Sequence, residues 1–256
     1  MQTDPVRVFA DAWRLMTGRL PGSQFKEADA LVSCFCDVPS FFFNVWIPTA
    51  PTAAPEAFEN VLREGVSRAQ SAAHPVGALL REDWLPADWQ ALAANHGFVP
   101  AVPMTPMEAE DLAPPRRPQP AELQIRRVAS DAGARELAQL NADAYGMPHD
   151  MFGALSTMAL WAPDSLGFVG YVDGRPVSAT GVFPVGGTVY VAMVATAPDV
   201  QGKGYAEAVM RHAVIEGQKA MGVKRTTLHA TDAGRPVYAA MGYASGPRML
   251  LLAPPH

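Results

Sequence analysis

Six residues, Gln201-Gly202-Lys203-Gly204-Tyr205-Ala206, join an apolar, β-branched run over 189–194 to a segment with apolar residues at Tyr205, Val209, Ala213 and Val214. The run reads as a buried strand and the segment as a helix. Each glycine costs roughly 0.5–1 kcal/mol of chain entropy relative to alanine, so a turn that keeps Gly202 and Gly204 needs positive φ or a bare backbone. A helix start presents free N–H groups and about half a positive charge, to which Lys203 adds a full cation. The chemistry that fits is anion binding, and the expected anion is a pyrophosphate.

Two common nucleotide turns fail here. The P-loop requires Ser or Thr directly after Gly-Lys, where this chain has Gly204-Tyr205, and the dinucleotide pattern requires glycine where Glu207 stands. What the six residues do resemble is the Gln/Arg-x-x-Gly-x-Gly/Ala signature of the GCN5-related N-acetyltransferase (GNAT) superfamily, whose loop binds the pyrophosphate of acetyl-CoA. Downstream, Tyr238-Ala239-Ala240-Met241-Gly242-Tyr243 is similar to the Tyr-x-x-x-Gly-Phe/Tyr ending of that superfamily. The two signatures stand in the family's order, and the resemblance covers Leu123 to the C-terminus.

The resemblance implies a coenzyme lying between two parallel strands that splay apart. Matched position by position, it gives the backbone of Val194, Ala195 and Thr196 to the pantetheine and thioester carbonyl, and Gln201, Gly202, Lys203, Gly204, Tyr205 and Ala206 to the pyrophosphate. Tyr238 takes the place of the tyrosine that assists the departing thiolate. Thr231 stands where the family often has asparagine, keeping a hydroxyl for a coenzyme contact. Tyr145, Phe152 and Trp161 lie in the segment that shapes the acceptor pocket, with packing against the sheet as the alternative for each.

A phenol of pKa about 10 facing a thiolate of about 8.5 gives up its proton uphill by about 2 kcal/mol, so hydrogen-bond stabilisation of the thiolate competes with complete transfer. Between Val182 and Ala197 no carboxylate supplies the base that many members place there. His149, Asp143, Asp150 and His229 are the titratable residues near the expected cleft, and each reads as a cap, surface group or strand-face residue. The base is left unassigned. Without one, a weakly basic amine is favoured: deprotonating a lysine-like amine at pH 7 costs about 4.6 kcal/mol, an α-amino group about 1.

The elements that must position these residues follow from pattern. Ahead of the central strand, 123–128 alternates as a strand, a helix capped near Ser130 or Asp131 carries Leu137, Leu140 and Tyr145, and 148–161 reads as a second helix. Strands at 166–172 and 176–183 form a hairpin about Asp173-Gly174. After the glycine turn and its helix come a strand at 225–230, a short helix at 232–241 and a final strand at 243–252. This β-α-α-β-β-β-α-β-α-β order matches the resemblance: an α/β (α+β) fold with a mixed central sheet flanked by helices.

The first half carries its own elements. Val6, Phe9, Ala10, Trp13 and Met16 mark a helix ending near Gly18; strands are expected at 31–36, 41–47, 76–80 and 98–104, with helices from Pro55 and over 86–95. This order repeats the later part of the GNAT-like half, so residues 1–104 are read as a smaller, degenerate GNAT-like unit. Its 49–55 segment has no glycine and no cation, so it is not expected to take coenzyme A. Prolines at 106, 114, 115, 118 and 120 make 105–121 a stiff linker, and 122–256 the acetyltransferase domain.

Composition narrows the class. At 256 residues the chain has room for two cores, and a net charge of −5 gives no broad basic field for nucleic acid. Charges interrupt the N-terminal apolar residues and no apolar run reaches membrane-spanning length, so no membrane partner and a cytoplasmic location are expected. Cys34 and Cys36, the two cysteines, read as reduced core thiols, and no metal site is expected. The expected activity is acetyl-CoA-dependent acetylation of a small-molecule or peptide amine, with a non-catalytic acyl-CoA-binding regulator as the alternative. The oligomeric state is open.

Overall fold

The computed structural model describes residues 4–161 and 163–254. Its elements are α1 (Pro5–Thr17), β1 (Gln24–Ala28), β2 (Leu31–Phe35), β3 (Val45–Pro48), α2 (Pro55–Ala69), β4 (Gly77–Arg81), α3 (Trp89–Asn95), β5 (Val99–Ala109), β6 (Gln124–Arg127), α4 (Asp131–Tyr145), β7 (Leu166–Val172), β8 (Arg175–Val185), β9 (Thr188–Thr196), α5 (Tyr205–Met221), β10 (Thr226–Thr231), α6 (Arg235–Ala240), β11 (Ala244–Ser245) and β12 (Met249–Ala253). The expected mixed sheets flanked by helices are present.

Two compact units emerge. Of the described residues, the first unit holds those up to Pro106 with Ala230–Arg235 and those from Ser245 on; the second holds Met107–His229 and Pro236–Ala244. In the first, the strands run β1-β2-β3-β4-β12-β5, antiparallel throughout except for the parallel β3/β4 pair. The final strand, expected to close the second domain, therefore belongs to the first unit, between β4 and β5. Its residues Met249 to Ala253 are all buried, as a strand paired on both edges and covered on both faces requires. Leu250 and Leu252 join Trp46, Phe58 and Leu62 in the unit's core.

The proline-rich stretch also departs from expectation. β5 runs through Pro100, Pro103 and Pro106 to Ala109, although the prolines were expected to bar a ladder beyond Met104. The ladder takes them in through an irregularity, since the register shifts between Leu251, which faces Val102, and Leu252, which faces Pro100, and a bulge is a place where a strand tolerates proline. Residues 99–104 keep their pairing with β12.

The second unit runs β10-β9-β8-β7-β6, parallel between β10 and β9 and antiparallel elsewhere. α5 lies close to this sheet because Gly217 faces it: a Cβ there would stand 3.0 Å from Val189 and 3.1 Å from Val182. Gly181 and Gly167, paired across β8 and β7, point to the other face and are covered by the Trp161 ring. Segment 148–161 forms 3-10 turns at His149–Leu155 and Met158–Leu160 in place of the expected α-helix. Gly153 in its middle weakens helix propensity, and Asp131 Oδ1 takes the Met158 N–H at 2.8 Å, tying the segment down at a point of its own.

Candidate functional site

The site grows from two backbone features of the second unit. At the first, Gly202 and Gly204 both have positive φ, 79° and 87°, so the turn requires glycine for the conformational reason the sequence suggested. Gly204 is the N-cap of α5, and no side chain caps that helix. Asp4 caps α1 and Ser130 caps α4, whereas α2 and α3 also start without a side-chain cap; α5 differs from them in following two positive-φ glycines and Lys203. No side chain accepts from the first N–H groups of this helix.

Neighbouring side chains hold this turn in place. Asp199 is gripped by both Arg175 guanidinium nitrogens at 2.7 and 2.8 Å, which keeps its carboxyl below the usual range, with Lys203 a lesser contributor. Tyr205 points inward, and its hydroxyl donates to Glu122 Oε1 at 2.8 Å. Glu122 is lowered first by its own backbone N–H, then by Tyr205, and further by Lys203. Gln201 reaches back to the Thr196 carbonyl at 3.4 Å.

The second feature is an opening beside β9. Its parallel pairing with β10 ends at Leu228↔Val191, while β9 continues to Thr196. In that continuation the ladder to β8 slips: Ala195 faces Ala179 and Ala192 faces Gly181, so Met193 and Val194 together oppose Thr180 alone. This is a bulge. Met193 has φ 55°, a left-handed conformation that costs a non-glycine residue roughly 1–2 kcal/mol.

Two side chains one turn apart on α4 meet the bulge. Asn141, almost fully buried, gives its Nδ2 hydrogens to the Leu137 carbonyl at 2.9 Å and the Met193 carbonyl at 3.2 Å. Tyr145 donates its hydroxyl to the Val194 carbonyl at 3.3 Å. The next carbonyl, of Ala195, accepts from Ser178 Oγ on β8 at 2.8 Å, and Ser178 also meets Thr196 Oγ1 at 2.9 Å. The Tyr145 hydroxyl thus meets β9 beyond Val191, where the pairing with β10 has ended. α4 ends there because Gly146 takes a left-handed cap closed by Met147 N–H to the Ala142 carbonyl at 2.9 Å.

Tyr238, on α6, is buried, and its ring meets that of Tyr243 edge-on at 6.2 Å. Burial raises its phenol well above the ordinary tyrosine value, and the neighbouring phenols Tyr145 and Tyr243 add to this. Burial likewise raises Tyr145, although the residue as a whole is 48% exposed. Two protonated phenols therefore stand close together near the open edge of β9.

Other sequence-predicted residues lie differently. Phe152 is buried and Trp161 is 2% exposed, its ring about 3 Å from where a Cβ on Gly167 or Gly181 would stand and stacked on Phe183 at 5.6 Å. Of the three aromatics expected at an acceptor pocket, Tyr145 reaches the opening; Phe152 and Trp161 serve packing. Thr231 ends β10 and accepts the Gly234 N–H at 3.4 Å, closing the turn into α6. His149 pairs with Asp143 at 2.7 Å, and His229 Nδ1 meets the buried Tyr190 hydroxyl at 3.1 Å.

Asn141 and Met193 escaped sequence reasoning. A signal for Asn141 existed, since it interrupts the apolar stripe of Ala134, Leu137 and Ala138. Met193 carries none, because nothing in a methionine announces positive φ.

The first unit offers a counterpart without the glycine turn. Its parallel pair β3/β4 also brackets a helix, α2, but the 49–54 segment is fastened: Thr49 N–H reaches the Ala30 carbonyl at 2.8 Å. The Thr52 N–H and hydroxyl both reach the Trp84 carbonyl, at 3.2 and 3.3 Å. Cys34 and Cys36 are buried, their thiols pushed up by burial to about 12 and about 11. Among the described residues, no group of three His, Cys, Asp or Glu is placed to hold a metal, and no helix is long and apolar enough to cross a membrane.

Comparisons with known proteins agree with this geometry. The model of the acetyltransferase (GNAT) family matches residues 134–243. Among curated proteins none matches. Solved structures similar to this chain include a GCN5-related N-acetyltransferase from Kribbella flavida, 19% identical with a TM-score of 0.74, covering 100% of this chain and 97% of that one. A putative GNAT acetyltransferase from Novosphingobium aromaticivorans is 18% identical with a TM-score of 0.58, covering 99% and 100%. A tandem GNAT protein from the clavulanic acid biosynthesis pathway is 10% identical with a TM-score of 0.53, covering 91% and 83%. At these identities the likeness is one of fold.

Proposed function

We propose that this protein transfers an acetyl group from acetyl-CoA to an amine, with one coenzyme site per chain, in the second unit, whose residues 134–243 match the model of the acetyltransferase (GNAT) family. The observation that carries the reading is the uncapped start of α5 behind two positive-φ glycines and Lys203, joined to a length of β9 that β10 leaves unpaired beyond Val191. The first meets a pyrophosphate and the second a pantetheine arm.

The coenzyme supplies an activated acyl carbon. The chain's part is to bind, orient and donate. Gly202 to Ala206 and Lys203 hold the phosphates, and the backbone of Val194 to Thr196 meets the arm and the thioester carbonyl. The neutral amine's nitrogen bonds to the acyl carbon and releases its proton to water, the carbon–sulfur bond breaks, and the departing thiolate is held by a hydrogen bond from Tyr238 until it takes a proton from water. Having been raised by its surroundings, that phenol is a poorer acid than free tyrosine, which favours hydrogen-bond stabilisation over complete transfer.

The acceptor is a small-molecule or peptide amine, and a weakly basic one is favoured because no carboxylate lies between Val182 and Ala197. The same absence supports the second reading, an acyl-CoA-binding regulator without turnover. Ala192 and Ala195 would also admit a longer acyl chain. Thiol release from acetyl-CoA with a panel of amino acids, aminoglycosides, polyamines and peptide N-termini tests all three: release with an amine supports transfer, whereas binding without release supports the regulator.

A further inference from the structure

Asn141 is a buried amide on an otherwise apolar helix face, and its donors are spent on two carbonyls. The Leu137 bond is local. The Met193 bond spans to β9, at the residue whose left-handed backbone makes the bulge. A trans peptide is planar, with its C=O and N–H pointing in opposite directions. Holding the Met193 carbonyl toward α4 therefore turns the Val194 N–H away from α4, at a position where β8 has one residue, Thr180, against two.

We propose that Asn141 is a positioning residue: by gripping the Met193 carbonyl it keeps β9 bulged and aims the Val194 amide at the acyl carbonyl of the bound thioester. This rests on the reading under Proposed function. Tyr145, one turn further along α4, holds the following carbonyl and so restrains the same bulge. Met193 pays for the conformation, and Asn141 supplies the bond that keeps it there.

The role separates binding from turnover. The pyrophosphate turn lies beyond the bulge and shares no bond with Asn141, so coenzyme A should bind a variant as it binds the parent. Asn141→Asp keeps the shape and removes the amide donors. It is expected to lower kcat roughly tenfold or more, the scale of a misplaced oxyanion donor, with the Kd for coenzyme A within about twofold. The Val194 amide resonance in the free protein should move. Adding Met193→Gly, which makes positive φ easy, should recover most of the lost kcat, a rescue that a merely structural role for Asn141 would not give.

Should Asn141→Asp not fold, Asn141→Ser, with one weaker and shorter donor, takes its place with the same readouts. An unchanged kcat overturns the inference, as does a fall in kcat matched by equal losses in coenzyme A binding and melting temperature. If the parent protein turns over no amine, the reading under Proposed function fails separately. Asn141 is then judged on the Val194 resonance, and an unmoved resonance overturns the inference.

Discussion

At the scale of single residues, the site depends on groups kept uncharged and carbonyls held still. Tyr238 is raised above the ordinary tyrosine value by burial and by the phenols of Tyr145 and Tyr243. A raised phenol stays protonated as pH climbs toward 10, so its ionisation should cause no fall in rate across that range. Hydrogen bonds to charged groups contribute about 1.5–3 kcal/mol, so Tyr238→Phe should lower kcat by roughly 10- to 100-fold while the Kd for coenzyme A stays put. Steady-state kinetics beside calorimetry would show this, and a kcat unchanged by the substitution would remove Tyr238 from the reaction. The rate itself should climb with the fraction of neutral amine, following the acceptor's own pKa across a set of amines. An enzyme group titrating near neutrality would contradict the absence of a base. At this scale the sequence was legible where the backbone dictates residue type: two glycines at positive φ and a lysine beside them. The grip of Asn141 on Met193 was hidden, because it depends on a conformation that methionine does not announce.

At the scale of elements, close approach is decided by glycines on helix faces. Gly65 in α2 lies where a Cβ would come 2.3 Å from the Trp46 ring, and Trp46 is fully buried. Alanine gains about 1 kcal/mol in helix propensity over glycine, whereas overpacking a filled core costs typically 1–3 kcal/mol. The ring sits between helix and sheet with no room to retreat, so the clash wins. Gly65→Ala should destabilise the protein by about 1–2 kcal/mol net in a urea titration, and a stabilised variant would show that α2 shifts freely. Apolar spacing made α1, α2, α4 and α5 legible, together with the caps of α1 and α4, the proline that opens α2 and the glycine turn before α5. β1 was not, since Gln24–Ala28 is exposed on both faces and is held by backbone pairing to β2. Apolar spacing over 148–161 fits a 3-10 turn as well as an α-helix. The apolar run 249–252 announced a buried strand, but its pairing with β4 and β5 depends on distant residues that no local pattern encodes.

At the scale of the whole molecule, two units repeat one plan, a parallel strand pair bracketing a helix, and differ in the segment that leads into the helix. In the second, glycines open the start of α5; in the first, Thr49 and Thr52 fasten the corresponding segment to the Ala30 and Trp84 carbonyls. The proposed function therefore predicts one coenzyme per chain. Gly204→Val would force a β-branched residue to φ near 87°, and Lys203→Glu would set a negative charge against the phosphates; each should weaken coenzyme A binding tenfold or more, on the order of 1.4 kcal/mol. Calorimetric titration of the full chain with coenzyme A, beside these two variants, is the most direct test. The expected result is a stoichiometry of one, with binding weakened in both variants. No binding, two equivalents per chain, or affinities untouched by both substitutions would contradict the account.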